Sequence, residues 1–99
     1  MEKYWYLFEA HGVQVLVQKG EDSDDNPAIQ FVSHAKDGAE ISFGLNFEPK
    51  EDGTIERSTA ERDKIFATKE AELKDMAEGL AEKIAGCETG MDALAALYG

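Results

Sequence analysis

Alternating apolar and polar residues fill most of the first half of the chain, which is the pattern of β-strands with one buried face. Residues 4–9 and 13–18 are rich in aromatic and β-branched side chains. His11 and Gly12 lie between them, and Gly accepts the positive φ that a two-residue turn requires. These two runs therefore predict a β-hairpin.

A second pair of apolar runs follows, at residues 28–35 and 39–47. The dipeptide Asp37-Gly38 between them is a strong short-range signal for a hairpin turn. In the second of these runs every other side chain is apolar, and Pro49 follows its end. This alternation predicts a sheet with one buried and one solvated face.

The spacing of apolar residues changes to three and four after Thr68, which predicts a helix. Thr68 has the chemistry of an N-cap, and Gly86 is placed to end the helix. A second, short helix is predicted after Gly86, where Thr89 and Asp92 fit a capping box at its start. The apolar stripes of the two helices are Leu73, Met76, Ala77, Leu80, Ala81 and Ile84, and then Met91, Leu94, Ala95 and Tyr98.

Residues 50–67 fit more than one structure. Residues 54–58 could pair back as a fifth strand, and residues 59–67 could start a helix or form a short strand. The complete pattern predicts a single α+β domain over residues 1–99. Its antiparallel sheet of four or five strands, from the hairpins of residues 1–49, would pack against the helical residues 68–99.

The net charge of the chain limits the possible binding partners more than its hydrophobicity does. The chain has ten Lys and Arg against 21 Asp and Glu, a net charge of −11. This excess argues against direct binding to nucleic acid or to anionic membranes, both of which need basic side chains. It also exceeds the magnitude of about 2 to 8 that suits a small soluble domain, so it favours a basic protein partner.

Cysteine usage and the absence of targeting signals bear on the compartment. Cys87 is the single cysteine, so no intramolecular disulfide can form, and a reducing cytoplasm fits best. The N-terminus lacks the basic and long apolar segments of a secretion signal. No run approaches the roughly 18 apolar residues of a membrane span.

The stretch GEDSDDNP, residues 20–27, carries four carboxylates and no cation; they belong to Glu21, Asp22, Asp24 and Asp25. Asp22, Asp24 and Asn26 stand at the first, third and fifth positions of an EF-hand calcium loop. Pro27 stands where that loop needs Gly, and Ser33 where it needs a bidentate Glu. The stretch is therefore predicted to be an acidic surface connection between the two hairpins.

No catalytic, cofactor-binding or metal site is predicted. Cys87, His11 and His34 lie in separate predicted elements, and no motif connects them. The aromatic cluster of Tyr4, Trp5, Tyr6 and Phe8 lacks the basic neighbours of a base-stacking platform. It is expected to pack in the core, with one side open to a protein partner.

The long predicted helix presents four acidic residues opposite its apolar stripe: Glu72, Asp75, Glu78 and Glu82. Seven helical residues span roughly 10 Å, a spacing comparable with that of phosphates along a nucleic-acid strand. Lysines interrupt this face, so a solvated helix surface with a Glu70–Lys74 pair is the alternative. Together with the four carboxylates of residues 20–27, these residues make the predicted partner-binding set.

In its size, charge, sheet-plus-helix pattern, single Cys87 and stretches such as GEDSDDNP, the chain resembles the small acidic inhibitors that phages encode, among them anti-CRISPR proteins and DNA mimics. The resemblance implies a protein without enzymatic activity that acts by binding in the bacterial cytoplasm. Its target would be a basic surface of a host defence complex, such as a CRISPR surveillance complex or a nuclease. The alternative is a homo-oligomeric interaction module that uses Leu94, Leu97 and Tyr98 of the apolar C-terminal helix.

Overall fold

A computed structural model describes residues 5–98 of the chain. The strands are β1 (Trp5–Ala10), β2 (Val13–Glu21), β3 (Pro27–His34) and β4 (Glu40–Asn46). The helices are α1 (Ile55–Thr68), α2 (Glu70–Ile84) and α3 (Gly90–Tyr98). The strands form one antiparallel sheet in the order β1-β2-β3-β4. The described part of the chain is thus an α+β arrangement with four strands and three helices.

Both predicted hairpins are confirmed. His11 and Gly12 have φ of 53° and 76°, positive at both central positions as in a type I′ turn. Gly38 in the β3–β4 turn has a φ of 89°. Strands β2 and β3 also pair with each other, so residues 22–26 close a third hairpin where the sequence predicted only a connection.

The undecided segment 50–67 is largely helical, so the alternative of a fifth strand is wrong for it. Helix α1 begins at Ile55, because Thr54 caps it by accepting a hydrogen bond from the Arg57 N–H at 3.2 Å. Ser58 and Phe66 are its buried residues, and α1 packs against β3 and β2. With so few buried positions in the helix, its apolar periodicity was too weak to identify it from sequence.

The prediction that Thr68 is an N-cap is also wrong. Thr68 is the last residue of α1, and its hydroxyl donates to the Lys64 carbonyl at 2.6 Å. Lys69 alone separates α1 from α2 and makes no side-chain cap. The N-cap predicted at Thr89 is confirmed, because its hydroxyl accepts from the Asp92 N–H at 3.1 Å.

The β3–β4 turn is fastened to the start of α3. The two carboxylate oxygens of Asp37 accept hydrogen bonds from the N–H groups of Ala39 at 3.0 Å and Gly90 at 3.2 Å. The Asp37 N–H donates to the Glu88 carbonyl at 3.0 Å. The N–H of Ala39, then that of Gly90, lowers the pKa of Asp37 because both favour its charged form. A side chain at Gly90 would not fit, since its Cβ would lie 2.6 Å from that of Ala39.

The core lies between the inward face of the sheet and the three helices. Its largest fully buried side chains include Phe31, Phe66, Ile29, Ile41 and Leu73. Helices α1, α2 and α3 all contribute buried residues to this one cluster, so they cover the same face of the sheet.

The opposite face of the sheet is formed by the alternate residues of the four strands, and we call it the outward face. Strand register places fifteen residues on it. They are Trp5, Leu7, Glu9, Gln14, Leu16, Gln18, Gly20, Ala28, Gln30, Val32, His34, Glu40, Ser42, Gly44 and Asn46.

Candidate protein-binding surfaces

The acidic stretch 20–27 is a hairpin turn held together by one of its own carboxylates. Oδ1 of Asp22 accepts hydrogen bonds from the N–H groups of Asp24 at 2.8 Å and Asn26 at 2.9 Å. The Asp22 carbonyl accepts a third from the Asp25 N–H at 3.0 Å. Asp25 itself has a φ of 63°, a left-handed conformation that Asp tolerates in turns. Asp22 therefore stabilises the turn and has less freedom to bind a partner.

Glu21 is partly neutralised by an arginine from α1. The Arg62 guanidinium donates from Nη1 to the Gly20 carbonyl at 2.7 Å, and the same nitrogen lies 4.0 Å from Oε1 of Glu21. Its Nε donates to Asp63 at 3.0 Å, and its side chain is only 12% exposed. Arg62 thus fastens α1 to the end of β2. No sequence signal indicated this contact, because 42 residues separate its partners.

Three of the four carboxylates of this turn are exposed, and Glu21, whose side chain is 62% exposed, is the one of them with an ion-pair partner in residues 5–98. Asp24 and Asp25 are exposed and form no ion pair within residues 5–98. In the same residues, no three His, Cys, Asp or Glu side chains are grouped closely enough to hold a metal ion.

The acidic face predicted for the long helix lies on the outer side of α2. Leu73, Ala77, Leu80, Ala81 and Ile84 of this helix are buried on its inner side. Glu72, Asp75 and Glu82 are exposed, and none of them forms an ion pair in the described part of the chain. We call these three residues the α2 acidic stripe.

Glu78 differs from the residues of the stripe. It is half-buried, and its carboxylate lies 3.9 Å from the Lys74 ammonium, an i,i+4 pair that stabilises the helix by roughly 0.2 to 0.5 kcal/mol. The acidic turn and the α2 acidic stripe belong to different elements, since α2 packs against β1, β2 and its neighbouring helices. The predicted set of acidic residues therefore forms two patches, and three of its members, Glu21, Asp22 and Glu78, also have intramolecular partners.

The structure places the two histidines and the cysteine around one cavity of about 670 Å³ at the end of the sheet that carries the β1–β2 turn. His11, His34 and Cys87 line it together with Glu9. Sequence reasoning had found no link among them, because the turn, β3 and the end of α2 meet only in the folded chain. The Cys87 thiol donates to the Lys83 carbonyl, four residues earlier in the chain, at 3.6 Å.

The aromatic cluster is divided between the two faces of the sheet. Tyr6 is buried, its hydroxyl donates to the Phe66 carbonyl at 2.8 Å, and the two ring centroids lie 4.8 Å apart. Burial, and then the nearby charge of Glu70, raises the pKa of Tyr6 above its usual value. Core packing is thus confirmed for Tyr6, whereas Trp5 is 55% exposed. Tyr4 lies outside the described residues.

Helix α3 exposes most of its predicted apolar stripe. Met91 is 79% exposed, Tyr98 71% and Leu94 45%, whereas Ala93 is buried against the core. Leu97, also named as part of an interface, is half-buried. This helix therefore offers an apolar surface as well as a contact with β4.

Comparison of the chain with models of protein families, with curated proteins and with solved structures found no match. Among residues 5–98, no helix combines the length and the apolar character needed to cross a bilayer.

Proposed function

We propose that this protein is a non-enzymatic inhibitor that binds a basic, nucleic-acid-binding surface of a host defence complex, in the manner of anti-CRISPR proteins. The observation that supports it best is the α2 acidic stripe, in which Glu72, Asp75 and Glu82 are exposed and unpaired within the described residues. Carboxylates without an intramolecular ion pair keep their charge available for a basic partner. The net charge of −11 adds a field of the same sign.

The spacing of the stripe suits a site that normally holds phosphates. Asp75 and Glu82 are seven residues apart, so about two helical turns and roughly 10 Å separate them on one face. Since the phosphates of one duplex strand recur about every 3.4 Å along the axis, carboxylates at this spacing can take the place of about every third phosphate in a Lys- and Arg-lined groove. Asp24 and Asp25 supply a second acidic patch on the β2–β3 turn.

The experiment is a pull-down from a bacterial lysate at low and at high salt, with the retained proteins identified. The test variant replaces the stripe by isosteric amides, as Glu72→Gln, Asp75→Asn and Glu82→Gln. The control variant carries the same net charge, through Glu48→Gln, Glu51→Gln and Glu61→Gln on exposed residues elsewhere.

We expect the unmodified protein and the control variant to retain a nuclease or an RNA-guided complex at low salt and to release it at high salt, because charge complementarity drives the encounter. The stripe variant should retain at least tenfold less. Equal retention by the two variants, or the absence of any such complex, would contradict the proposal.

A second candidate function is a homo-oligomeric interaction module, favoured by the exposure of Met91, Leu94 and Tyr98 on α3. An interface of this kind is apolar and should persist at high salt. Sedimentation of a Leu94→Ser, Tyr98→Ser variant tests it. Dissociation of a dimer in this variant would support the module, and an unchanged sedimentation coefficient would exclude α3 as its interface.

A further inference from the structure

The outward face of the sheet carries a continuous apolar strip that the described residues leave open to solvent. Leu7 of β1 lies opposite Leu16 of β2, and Leu16 lies opposite Val32 of β3. Trp5 neighbours Leu7 on the same face, and these two side chains are 55% and 52% exposed. The three helices pack on the other face, so no helix of residues 5–98 covers Trp5 or the cross-strand row of Leu7, Leu16 and Val32. An exposed apolar patch of this kind indicates an interaction surface.

The outward face also carries few charged residues. Two of its fifteen residues, Glu9 and Glu40, are acidic and none is Lys or Arg, although 31% of the chain is charged. Both acids lie at the end of the sheet away from Trp5. A basic partner would bind more strongly to the acidic turn or to the α2 acidic stripe than to the outward face. A second copy of this chain, which also carries −11, meets less like-charge repulsion at this face than at the acidic turn or the α2 acidic stripe.

The size of the face is sufficient for a weak, specific dimer. Four strands at about 4.8 Å spacing and six to seven residues at about 3.3 Å give a footprint of roughly 15 by 20 Å. Two copies would have a combined footprint of roughly 600 Å², and side-chain relief raises the buried accessible area above it, toward about 1,000 Å² in total. This is the lower bound for specific interfaces. Two sheets can pack in this way with their faces about 10 Å apart.

We propose that the outward face is a self-association surface on which a second copy packs sheet against sheet, with Trp5, Leu7, Leu16 and Val32 as its apolar contacts. The dimer has the layers helix, sheet, sheet and helix. Because α2 lies on the far side of each sheet, the α2 acidic stripe stays exposed in the dimer. This inference does not depend on the inhibitor function, and it assigns self-association to a surface other than α3.

The test uses the single tryptophan of the chain as a reporter. Sedimentation equilibrium and Trp5 fluorescence are followed over the same range of protein concentration, at low and at high salt. We expect a monomer–dimer equilibrium in which the Trp5 emission shifts to shorter wavelength, and its quenching by iodide or acrylamide falls, in step with dimer formation. Added salt should leave the dimer intact or strengthen it, since it screens the repulsion between two acidic chains.

Two variants assign the surface. Leu7→Ser with Leu16→Ser should weaken the dimer at least tenfold, whereas Leu94→Ser with Tyr98→Ser should leave it unchanged. Circular dichroism of each variant establishes that it is folded. A monomer at all concentrations, or a dimer that forms without a change at Trp5 and dissociates in the α3 variant, would overturn the proposal. Neither result would alter the pull-down by the stripe variant, so the two proposals fail separately.

Discussion

The two faces of the sheet are built from neighbouring residues of the same strands, yet they have different roles. On the inward face Phe31 is fully buried and stacks on Phe43, with ring centroids 4.6 Å apart. On the outward face the next residue, Val32, is only half-buried and has no helix above it. Within residues 5–98 the helices pack on the first face and leave the second uncovered. Apolar side chains exposed on a face that the fold does not need are therefore best explained by binding.

The largest expected difference between the two faces is in the free energy of unfolding that is lost in Phe31→Ala and in Val32→Ala. Removing the Phe31 ring leaves a cavity in the core and should lower the free energy of unfolding by about 3 to 5 kcal/mol. This is a large part of the roughly 5 to 15 kcal/mol expected for a domain of this kind. Val32→Ala should cost less than about 1 kcal/mol. Urea unfolding measured at low protein concentration gives both values, and similar costs would show that the outward face is also part of a packed core.

A smaller difference in the free energy of unfolding is expected between the variants Tyr6→Phe and Tyr98→Phe. Tyr6 donates a buried hydrogen bond to the Phe66 carbonyl, so losing its hydroxyl should cost about 1 kcal/mol or somewhat more. Tyr98 is 71% exposed, and its change should have no measurable effect. Chemical denaturation of the two variants beside the unmodified protein provides the comparison. An equal, near-zero cost would mean that water satisfies the Phe66 carbonyl as well as Tyr6 does.

Tyr6 should also make the free energy of unfolding depend on pH, and the sign of this dependence follows from its raised pKa. The folded state holds the Tyr6 proton more tightly than the unfolded state, in which the pKa is near 10.0. This contribution to stability is therefore complete below about pH 10 and is lost as the pH rises through the folded-state value. Unfolding measured between about pH 8 and pH 11 should show a decline that Tyr6→Phe reduces. An identical decline in the variant would assign it to other groups.

Sequence patterns were sufficient for the strands because the information there is local. Gly12 and Gly38 mark the turns, and the alternation of each strand identifies its buried face. Helix α1 could not be assigned from sequence because most of its residues are exposed and only Ser58 and Phe66 are buried. The error at Thr68 has a local cause as well, since a Thr before several Glu residues fits an N-cap whether or not another helix precedes it.

The contacts that complete the fold and the candidate sites could not be predicted in this way. Arg62 reaches Gly20 over 42 residues, and Asp37 reaches Gly90 over 53. Nothing in the neighbouring sequence of Arg62 distinguishes it from a solvated charge, and Asp37-Gly38 indicates a turn but not the bond from Gly90. The same limit applies to the acidic residues, because sequence could not show that Asp22 is bonded to its own turn while Asp75 is free of ion pairs in the described chain.

The two turns at opposite ends of β3 can be compared in the same way, because each is held by an aspartate. Asp22 holds the β2–β3 turn, and Asp37 holds the β3–β4 turn. Asp22→Ala breaks bonds only within the β2–β3 turn, whereas Asp37→Ala also releases α3, which helps to cover the inward face. Hydrogen exchange should accelerate at the Gly90 amide and through α3 in the Asp37 variant alone. Exchange through α3 that is unchanged by Asp37→Ala would mean that packing of Ala93 holds the helix without this bond.

Acid should mimic the Asp37 variant. The pKa of Asp37 is lower in the folded state than the usual 3.8, so its contribution is present above that value and is lost as the pH falls through the folded-state pKa. Exchange measured at decreasing pH, corrected for the intrinsic rates, should show α3 loosening in the unmodified protein. The Asp37→Ala variant should show no such dependence on this group.

The smallest effect is expected at the outward face itself, for Trp5→Ser and Leu7→Ser in a dilute monomer. Both side chains are already more than half exposed, so the free energy of unfolding should stay within about 0.5 kcal/mol of the unmodified value. At high protein concentration the result should differ, because a dimer that forms only from folded chains adds stability by mass action. The melting temperature of the unmodified protein should then rise with concentration, and that of the variants should not. A melting temperature independent of concentration in all three proteins would leave the exposed strip without a second copy to cover it, and would remove the main functional difference between the two faces.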